Sequence, residues 1–467
     1  MTLDGLAAIV GERNLLDAPE DLARYDCDGR QGGGAALAVV RPGSTEEVSA
    51  LVRAAHAAGQ QLVPQGARSG LVGAGLADRQ LVLSLERLNA APVIDAVNRT
   101  AEVEAGMLLS ALNAAAGEHG LYFPIDLGAD PSIGGMVSAN TGGARLLRHG
   151  DVRRNLLGLE VVLSDAEGTI LRFGRGLWKD NSGLDLKQLW VGGAGSLGIV
   201  TRATVALQPK PANRITALIA LDRPEAAVEL IAPLEAGLGT LLTAFEGMSR
   251  PAIEAALAHV PRLRLPFAGG VPPYAVLVEL SGGAALSEAM LADALATSLE
   301  PWMDGAEGGL IDIAVAHDEG LWAIRHAIPE GLRASGKVIG CDVSLRRGDV
   351  MRFRADLIDR LAATAPQLRL CDFGHIGDGG MHFNLVWPPE AGPYSPAEGE
   401  AARAMIFDAV VRDYGGSFSA EHGLGPVNAA YYARLVPAAE RRLAGRIQQL
   451  VAPHRIGRVD FDMEDRG

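Results

Sequence analysis

The sequence predicts an α+β protein of two domains, and three observations carry that prediction. The chain has 467 residues, more than one hydrophobic core usually organises. Up to Lys210 and Pro211, short strand-like runs alternate with stretches of helical spacing. After Pro211 the strands are separated by longer helices, which suggests a second domain with an antiparallel sheet covered by helices on one face.

Taken in order, residues 3–28 read as helical segments, and a glycine loop then leads to a strand at 36–40 stopped by Pro42. Ser44 with Glu47 forms a capping box, and Val48, Leu51, Val52 and Ala55 recur at i, i+3, i+4 and i+7 before Gly59 ends the helix. Strands follow at 61–63, 81–84 and 101–103, and a helix at 107–118 precedes an apolar stretch at 121–127. Residues 158–163 and 169–173 flank a turn at 165–168, which is a hairpin pattern. In the second half, strands are expected at 216–221 and 274–280, and helices at 223–238, 285–298, 401–414 and 438–450.

Composition excludes several function classes. A net charge of −14 argues against a basic nucleic-acid surface. No apolar run approaches the roughly 20 residues of a membrane span. The acidic, amphipathic first 30 residues are unlike a signal peptide, and Cys27, Cys341 and Cys371 lie too far apart for a disulfide framework or a thiolate zinc site. A cytoplasmic protein is expected.

Two glycine stretches stand out: 64–75 (PQGARSGLVGAG) and 131–143 (PSIGGMVSANTGG). Glycine at 134, 135, 142 and 143 would cost a helix or plain strand backbone entropy, so the expected gain is close main-chain approach to a phosphate-bearing cofactor. Ordinary turns are the alternative for either stretch alone. A literal GxGxxG at 193–198 is set aside, because the residues after it read as a strand and not as the helix a dinucleotide fingerprint needs.

A second cluster is 374–384 (GHIGDGGMHFN), with Glu421 and His422 some forty residues on. His375 and His382 would point to opposite faces of one regular strand, so they can share a ligand only if the chain bends, which Gly377, Gly379 and Gly380 permit. Two imidazoles and a carboxylate make a common divalent-metal shell. Separate loop histidines remain the alternative.

These residues also carry a resemblance. Residues 64–73 resemble the P-x-G-G-x-[ST]-G-L-x-G loop of the flavoprotein family typified by vanillyl-alcohol oxidase, in its D-2-hydroxy-acid dehydrogenase branch. Residues 133–143 are similar to that family's I-G-G-N-x-x-[TS]-N-A-G-G segment, 179–186 to K-D-N-T-G-Y-D-L, and 193–201 to G-x-E-G-x-L-G-I-x-T, with Ala194 in the place of glutamate. Residues 374–384 resemble G-H-x-G-D-G-N-x-H-x-N, and 419–425 resemble S-x-E-H-G-I-G. The resemblance implies a two-part PCMH-type FAD-binding domain at 35–211 after an N-terminal helical segment at 1–34. It further implies a substrate or cap domain at 212–415 and a C-terminal segment at 416–467 that returns to the flavin.

It also implies site residues. FAD would be bound non-covalently, since Arg68 stands where a tethering histidine is usual, by Pro64, Gly66, Ala67, Arg68, Ser69, Gly70, Leu71, Gly73, Pro124, Gly128, Ser132, Ile133, Gly134, Gly135, Ala139, Asn140, Gly142, Gly143, Gly198 and Ile199. His375, His382 and Glu421 would hold a zinc-like divalent ion, with His422 as base, Asn384 near substrate or flavin, and Arg325 clamping a substrate carboxylate. A plain surface-helix arginine is the alternative for Arg325. The implied reaction is oxidation of a D-2-hydroxy acid to the 2-oxo acid, with an electron-transfer flavoprotein, quinone or cytochrome as acceptor and a homodimer as one assembly open to the chain.

Departures from the family pattern bear on substrate. Gly340 replaces a lysine, Asn428 replaces another, and the usual N-P-G-K ending is absent. They motivate a competing reading, a flavin-binding electron-transfer subunit of a larger complex such as a glycolate-oxidase-type assembly. A flavin-free zinc hydrolase would leave both glycine stretches without a purpose.

Overall fold

The computed structural model describes residues 3–303 and 309–463. The chain divides into two compact units, one of Met1–Gly142, Gly150–Lys210 and Glu421–Gly467, the other of Gly143–His149 and Pro211–Ala420.

The first unit opens with α1 (Leu3–Val10), β1 (Leu15–Leu16), α2 (Pro19–Leu22), β2 (Ala38–Val40), α3 (Thr45–Ala57), β3 (Leu62–Gln65) and β4 (Leu81–Ser84). These strands form a sheet in the order β1-β2-β4-β3, where β2 and β3 both run parallel to β4 and β1 is an antiparallel edge. Helix α3 supplies the crossover that parallel strands require. The cap forms as expected, with Ser44 Oγ accepting from Glu47 N–H, while the Glu47 carboxylate reaches one residue past the N-cap to Gly43 N–H. Val48, Leu51, Val52 and Ala55 are all buried on its inner face. At roughly 1.5–3 kcal/mol per large apolar side chain, that face and not the cap supplies most of the docking energy.

A second sheet joins β5 (Val93–Asp95), β6 (Thr100–Glu104), β8 (Leu156–Val162), β9 (Ile170–Phe173) and β10 (Ile199–Ala206) in the antiparallel order β5-β6-β10-β8-β9, while β7 (Leu121–Tyr122) pairs with β11 (Gln208–Pro209). Strands β8 and β9 are the expected hairpin. Helices α4 (Leu109–Gly117), α5 (Ile133–Ala139) and α7 (Val152–Asn155) lie between strands, and α14 (Ala429–Leu435) and α15 (Ala438–Val451) come from the C-terminal segment. One core spans both sheets and includes Val451, Ala452 and Ile456. Gln448 bonds the Ser196 carbonyl and Ser196 Oγ accepts from Val459 N–H, which ties that segment to the 193–198 turn. The residue after the turn begins strand β10, so the GxGxxG there opens no helix.

The second unit is organised on an eight-stranded sheet of β12 (Asn213–Leu221), β13 (Leu242–Ser249), β14 (Tyr274–Gly282), β15 (Leu310–Ala316), β16 (Lys337–Ile339), β17 (Asp342–Ser344), β18 (Arg369–His375) and β19 (Gly380–Trp387). Its order is β15-β12-β14-β13-β18-β19-β16, with β17 also on β19, and every pairing is antiparallel. Helices cover both faces, not one. Helices α9 (Arg250–His259) and α11 (Gly320–Ser335) share a core with Ala244, Met248, Leu277 and Phe373. On the opposite face α12 (Val350–Thr364) packs Phe353 against Phe383, and Ile231 of α8 (Ala226–Leu238), which contacts α10 (Glu288–Met303), lies by Gly377 and Phe245. Helix α6 (Leu146–His149) is held on this unit because Arg145 grips the fully buried Glu279 bidentately, 2.8 and 2.9 Å, and Trp322 Nε1 donates to the same carboxylate. Helix α13 (Pro396–Asp408) continues into a five-residue π turn.

Candidate active site

The two glycine stretches meet within the first unit. A β-carbon added at Gly66 would overlap Ser132 Oγ, the atom that caps α5 by accepting from Gly135 N–H. The 192–198 turn joins them, as Gly192 and Ala194 donate to the Val137 and Ser138 carbonyls, and a β-carbon at Gly195 would lie 3.7 Å from Pro64. From the C-terminal segment, Gly425 closes on Val72 and Pro426 on Gly73.

One expectation is corrected here. Residues 133–139 are helical despite Gly134 and Gly135. A β-carbon at Gly134 would lie 2.6 Å from Ala105 Cβ, and its N–H bonds the Ala105 carbonyl at 2.8 Å. The close approach that Gly134 permits is therefore to the chain just past β6, and packing repays the helix penalty.

The remaining cofactor candidates divide by environment. Ile133 and Ile199 are in the core, and Gly198 sits against Trp190 and the Val162 carbonyl. Pro124 is buried and Gly128 exposed, with open space beside Gly128 and Gly70. Asn140 ends α5 in the left-handed region at φ 51°, bonding Asp151 and Arg153 N–H through its side chain, and Gly142 and Gly143 mark the passage between units. Arg68 is left-handed at φ 60° with its guanidinium 5.2 Å from the Tyr25 ring centroid. Among the described residues the main-chain N–H groups of Ala67, Arg68, Ser69 and Gly70 donate no hydrogen bond to the protein. A run of undonated N–H groups beside open glycines suits an anionic, phosphate-bearing group such as FAD.

In the second unit strand register assembles the chemistry. Residues 376–379 turn β18 into β19, so the bend expected between the histidines is a hairpin. Phe373 pairs with His382 and Cys371 with Asn384, which puts Phe373, His375, His382 and Asn384 on one face. The ring centroids of His375 and His382 are 5.8 Å apart. Asp342 of β17 pairs directly with His382, and their Oδ1 and Nδ1 are 3.5 Å apart. Met248 opposite Phe373 brings Glu246, two residues earlier, onto the same face.

Asp342 was not singled out by the sequence. Its Oδ2 accepts from Ala420 N–H at 3.0 Å, and the next two residues in the chain are Glu421 and His422. Within the second unit, Asp342 and His382 bring a carboxylate and an imidazole together, two donors that divalent zinc or manganese accepts. His375 lies beside them on the same face, with Nδ1 at 2.6 Å from Glu246 Oε1.

Arg325 is buried on α11, so it is no surface arginine; its Nε donates to Glu246 Oε2 at 2.9 Å and its guanidinium covers Phe373 at 4.6 Å. Among the described residues its two terminal nitrogens have no hydrogen-bond partner, which leaves the fork that recognises a carboxylate bidentately. Burial pushes the Glu246 carboxyl up, but the charges of His375 and Arg325 and their hydrogen bonds outweigh it and hold the pKa at about 2. Glu246 was also missed, although a lone carboxylate in the run LTAFEGMS was a visible signal. Asn384 is buried with Oδ1 accepting from Cys341 N–H at 3.2 Å.

Comparison with known proteins decides the family. Residues 36–174 match the model of the FAD binding domain, and residues 210–456 match that of the C-terminal domain of FAD linked oxidases. The chain belongs to the FAD-linked oxidases. It is 37% identical over 449 residues to a D-2-hydroxyglutarate dehydrogenase of Xanthomonas citri pv. viticola, covering 94% of this chain and 92% of that one. A mitochondrial D-2-hydroxyglutarate dehydrogenase of Bos taurus is 34% identical, over 91% of this chain and 76% of its own length. The fold is shared with p-cresol methylhydroxylase, at a TM-score of 0.72 and 16% identity, over 100% of this chain and 97% of that one. This FAD-linked oxidase is thus a FAD-dependent oxidoreductase with a PCMH-type fold. Among its described residues no helix is long and apolar enough to cross a membrane.

Proposed function

We propose that this FAD-linked oxidase is a dehydrogenase that oxidises a D-2-hydroxy acid to the 2-oxo acid, with D-2-hydroxyglutarate the first substrate to test. The observation that carries the reading is the one-face row of Asp342, His382, His375 and Glu246, with the Arg325 fork held on it. The names of the two relatives support the substrate class.

In this reading Arg325 receives the substrate carboxylate through its terminal nitrogens, an interaction whose planarity orients the neighbouring carbon. Asp342, His382 and Glu421, with His375 next to them, are the residues that would hold a divalent ion, zinc being the expected one. His422 takes the hydroxyl proton onto an imidazole nitrogen as general base. Asn384 steadies the chain around Cys341. FAD, bound non-covalently between the two glycine stretches, supplies the hydride acceptor for Cα, and the ion supplies Lewis acidity at the hydroxyl. The expected acceptor of the electrons is an electron-transfer flavoprotein, quinone or cytochrome, in a cytoplasmic enzyme that is tested for homodimer formation.

Anaerobic mixing with D- and L-2-hydroxy acids tests this directly. D acids should bleach the flavin, and acid precipitation should release FAD into the supernatant. His422→Ala should keep FAD and metal but reduce flavin roughly 10²–10⁴-fold more slowly, whereas His382→Ala should lose metal and keep FAD. Flavin that no hydroxy acid bleaches would overturn the assignment.

A further inference from the structure

Strand β13 is buried at every residue, and Glu246 is its one ionisable side chain. A carboxylate there is costly unless both oxygens are matched, and each is matched to a different candidate site residue. Oε2 accepts from Arg325 Nε at 2.9 Å, and Oε1 lies 2.6 Å from His375 Nδ1. The Arg325 guanidinium covers Phe373, whose ring is 5.1 Å from that of His382, so the four side chains form one packed array around Glu246.

We propose that Glu246 is a positioning residue, a single carboxylate that fixes the substrate-carboxylate clamp and a metal-binding imidazole relative to one another. The inference rests on the hydroxy-acid reading above, because it gives that reading its geometry. A carboxylate only accepts, so a proton on His375 Nδ1 faces Glu246, and once the ring is neutral Nε2 carries the lone pair, the tautomer a metal ion requires. The same carboxylate occupies Arg325 Nε and so turns the terminal pair outward as a unit. In a 2-hydroxy acid the carboxylate and the hydroxyl are on adjacent carbons, so the groups that hold them must keep a fixed separation. Anchoring both to one side chain provides it, and small misplacements at such a site are costly in rate.

The distinguishing variant is Glu246→Gln. An amide has one accepting oxygen and a donating NH2; Arg325 can only donate, so it takes the oxygen and the NH2 faces His375 Nδ1. The imidazole must then accept at Nδ1 and carry its proton on Nε2, the wrong tautomer for a metal. Zn²⁺ affinity, measured by competition with a chromogenic chelator, should fall roughly 10–100-fold, as loss of an outer partner of a ligand typically does. FAD stoichiometry, and 2-oxoglutarate binding to the metal-free protein read by flavin absorbance, should stay at wild-type values. Glu246→Ala should weaken both zinc and 2-oxoglutarate binding, since Arg325 is then unanchored too, and in a His375→Ala background Glu246→Gln should add no further loss of zinc affinity.

A merely structural glutamate would lower the melting temperature in both variants and leave zinc and 2-oxoglutarate binding alone, and that result would overturn the proposal. Should the variants fail to fold, ¹⁵N-histidine spectra of the wild type decide instead: a neutral His375 ring protonated at Nε2 and not at Nδ1, assigned through His375→Gln, sinks it. Failure of the underlying reading looks different. There the wild type is reduced by no D-2-hydroxy acid and binds zinc no better than His382→Ala, whatever Glu246 does.

Discussion

The contact between Gly66 and Ser132 makes a prediction that changes sign with background. Gly66 is not among the residues of positive φ, so alanine is admissible to the backbone there and should by itself stabilise by about 0.4–1 kcal/mol through the unfolded state. Its β-carbon, however, would overlap Ser132 Oγ, while Ser132 Cβ would lie at an ordinary 3.4 Å. In Gly66→Ala the hydroxyl must swing away and give up its bond to Gly135 N–H, at 3.4 Å a long one. A lost cap costs about 0.5–2 kcal/mol, here at the lower end, and the repacking about 1–3. The net is a loss of roughly 1–3 kcal/mol, or several degrees at about 2–4 °C per kcal/mol for a unit of this size. Ser132→Ala removes the clash and the cap together, so adding Gly66→Ala to it should be neutral or slightly stabilising. The assay is a double-mutant cycle on the apo-protein, read at the melting transition that added FAD raises, because a chain of two units need not melt in one step. Additive effects of the two substitutions would refute the reasoning, since the glycine would then serve something other than this contact.

Other consequences can be checked more simply. Cys27 is exposed while Cys341 and Cys371 are buried, and burial first, then Asp372, pushes the Cys371 thiol up to about 12; a disulfide reagent at pH 8 should therefore label one thiol in the native protein, all three after denaturation, and no fast thiol in Cys27→Ser. Glu160 of β8 is buried, which pushes its pKa up, but bonds from Thr45, Arg172 and Thr201 win and leave it lowered. Its stabilisation is thus fully present above the unfolded carboxylate value of about 4.3 and is lost as pH falls through the lower folded one. Glu160→Gln should melt lower at pH 7, by about 1–3 kcal/mol in stability, and its melting point should fall less between pH 5 and 3 than that of the wild type.

What the sequence made legible was local. The capping box and the i, i+3, i+4, i+7 face of α3 need no partner to be recognised, and the residues after Gly198 declared a strand by their own pattern. What it hid was set by partners far along the chain. Strand β13 is buried on both faces, so LTAFEGMS lacks the alternation that marks a half-exposed strand. Helix α11 contains Pro329, which reads as a break although the helix runs through it. The packing of Gly134 on Ala105 was hidden for the same reason, since nothing local to the glycine reveals that partner. Asp342 gave no signal of its own, since only pairing with β19 brings it to His382.

That pairing explains why the candidate site divides into two kinds of residue. Asp342, His382, His375 and Glu246 stand on adjacent strands, where a slip of one residue would turn a side chain to the opposite face, so the buried register that builds the core also fixes the chemistry. The loop at 415–420 is held differently: Ser417 bridges to Ser344 at the end of β17, and Ala420 N–H is bonded to Asp342. The Asp342 carboxylate therefore does two jobs with two oxygens: Oδ1 faces His382 and Oδ2 holds the Ala420 peptide at the end of that loop. A rigid sheet can in this way impose its precision on a loop, and it needs a polar side chain at the sheet edge, not a longer sheet, to do so.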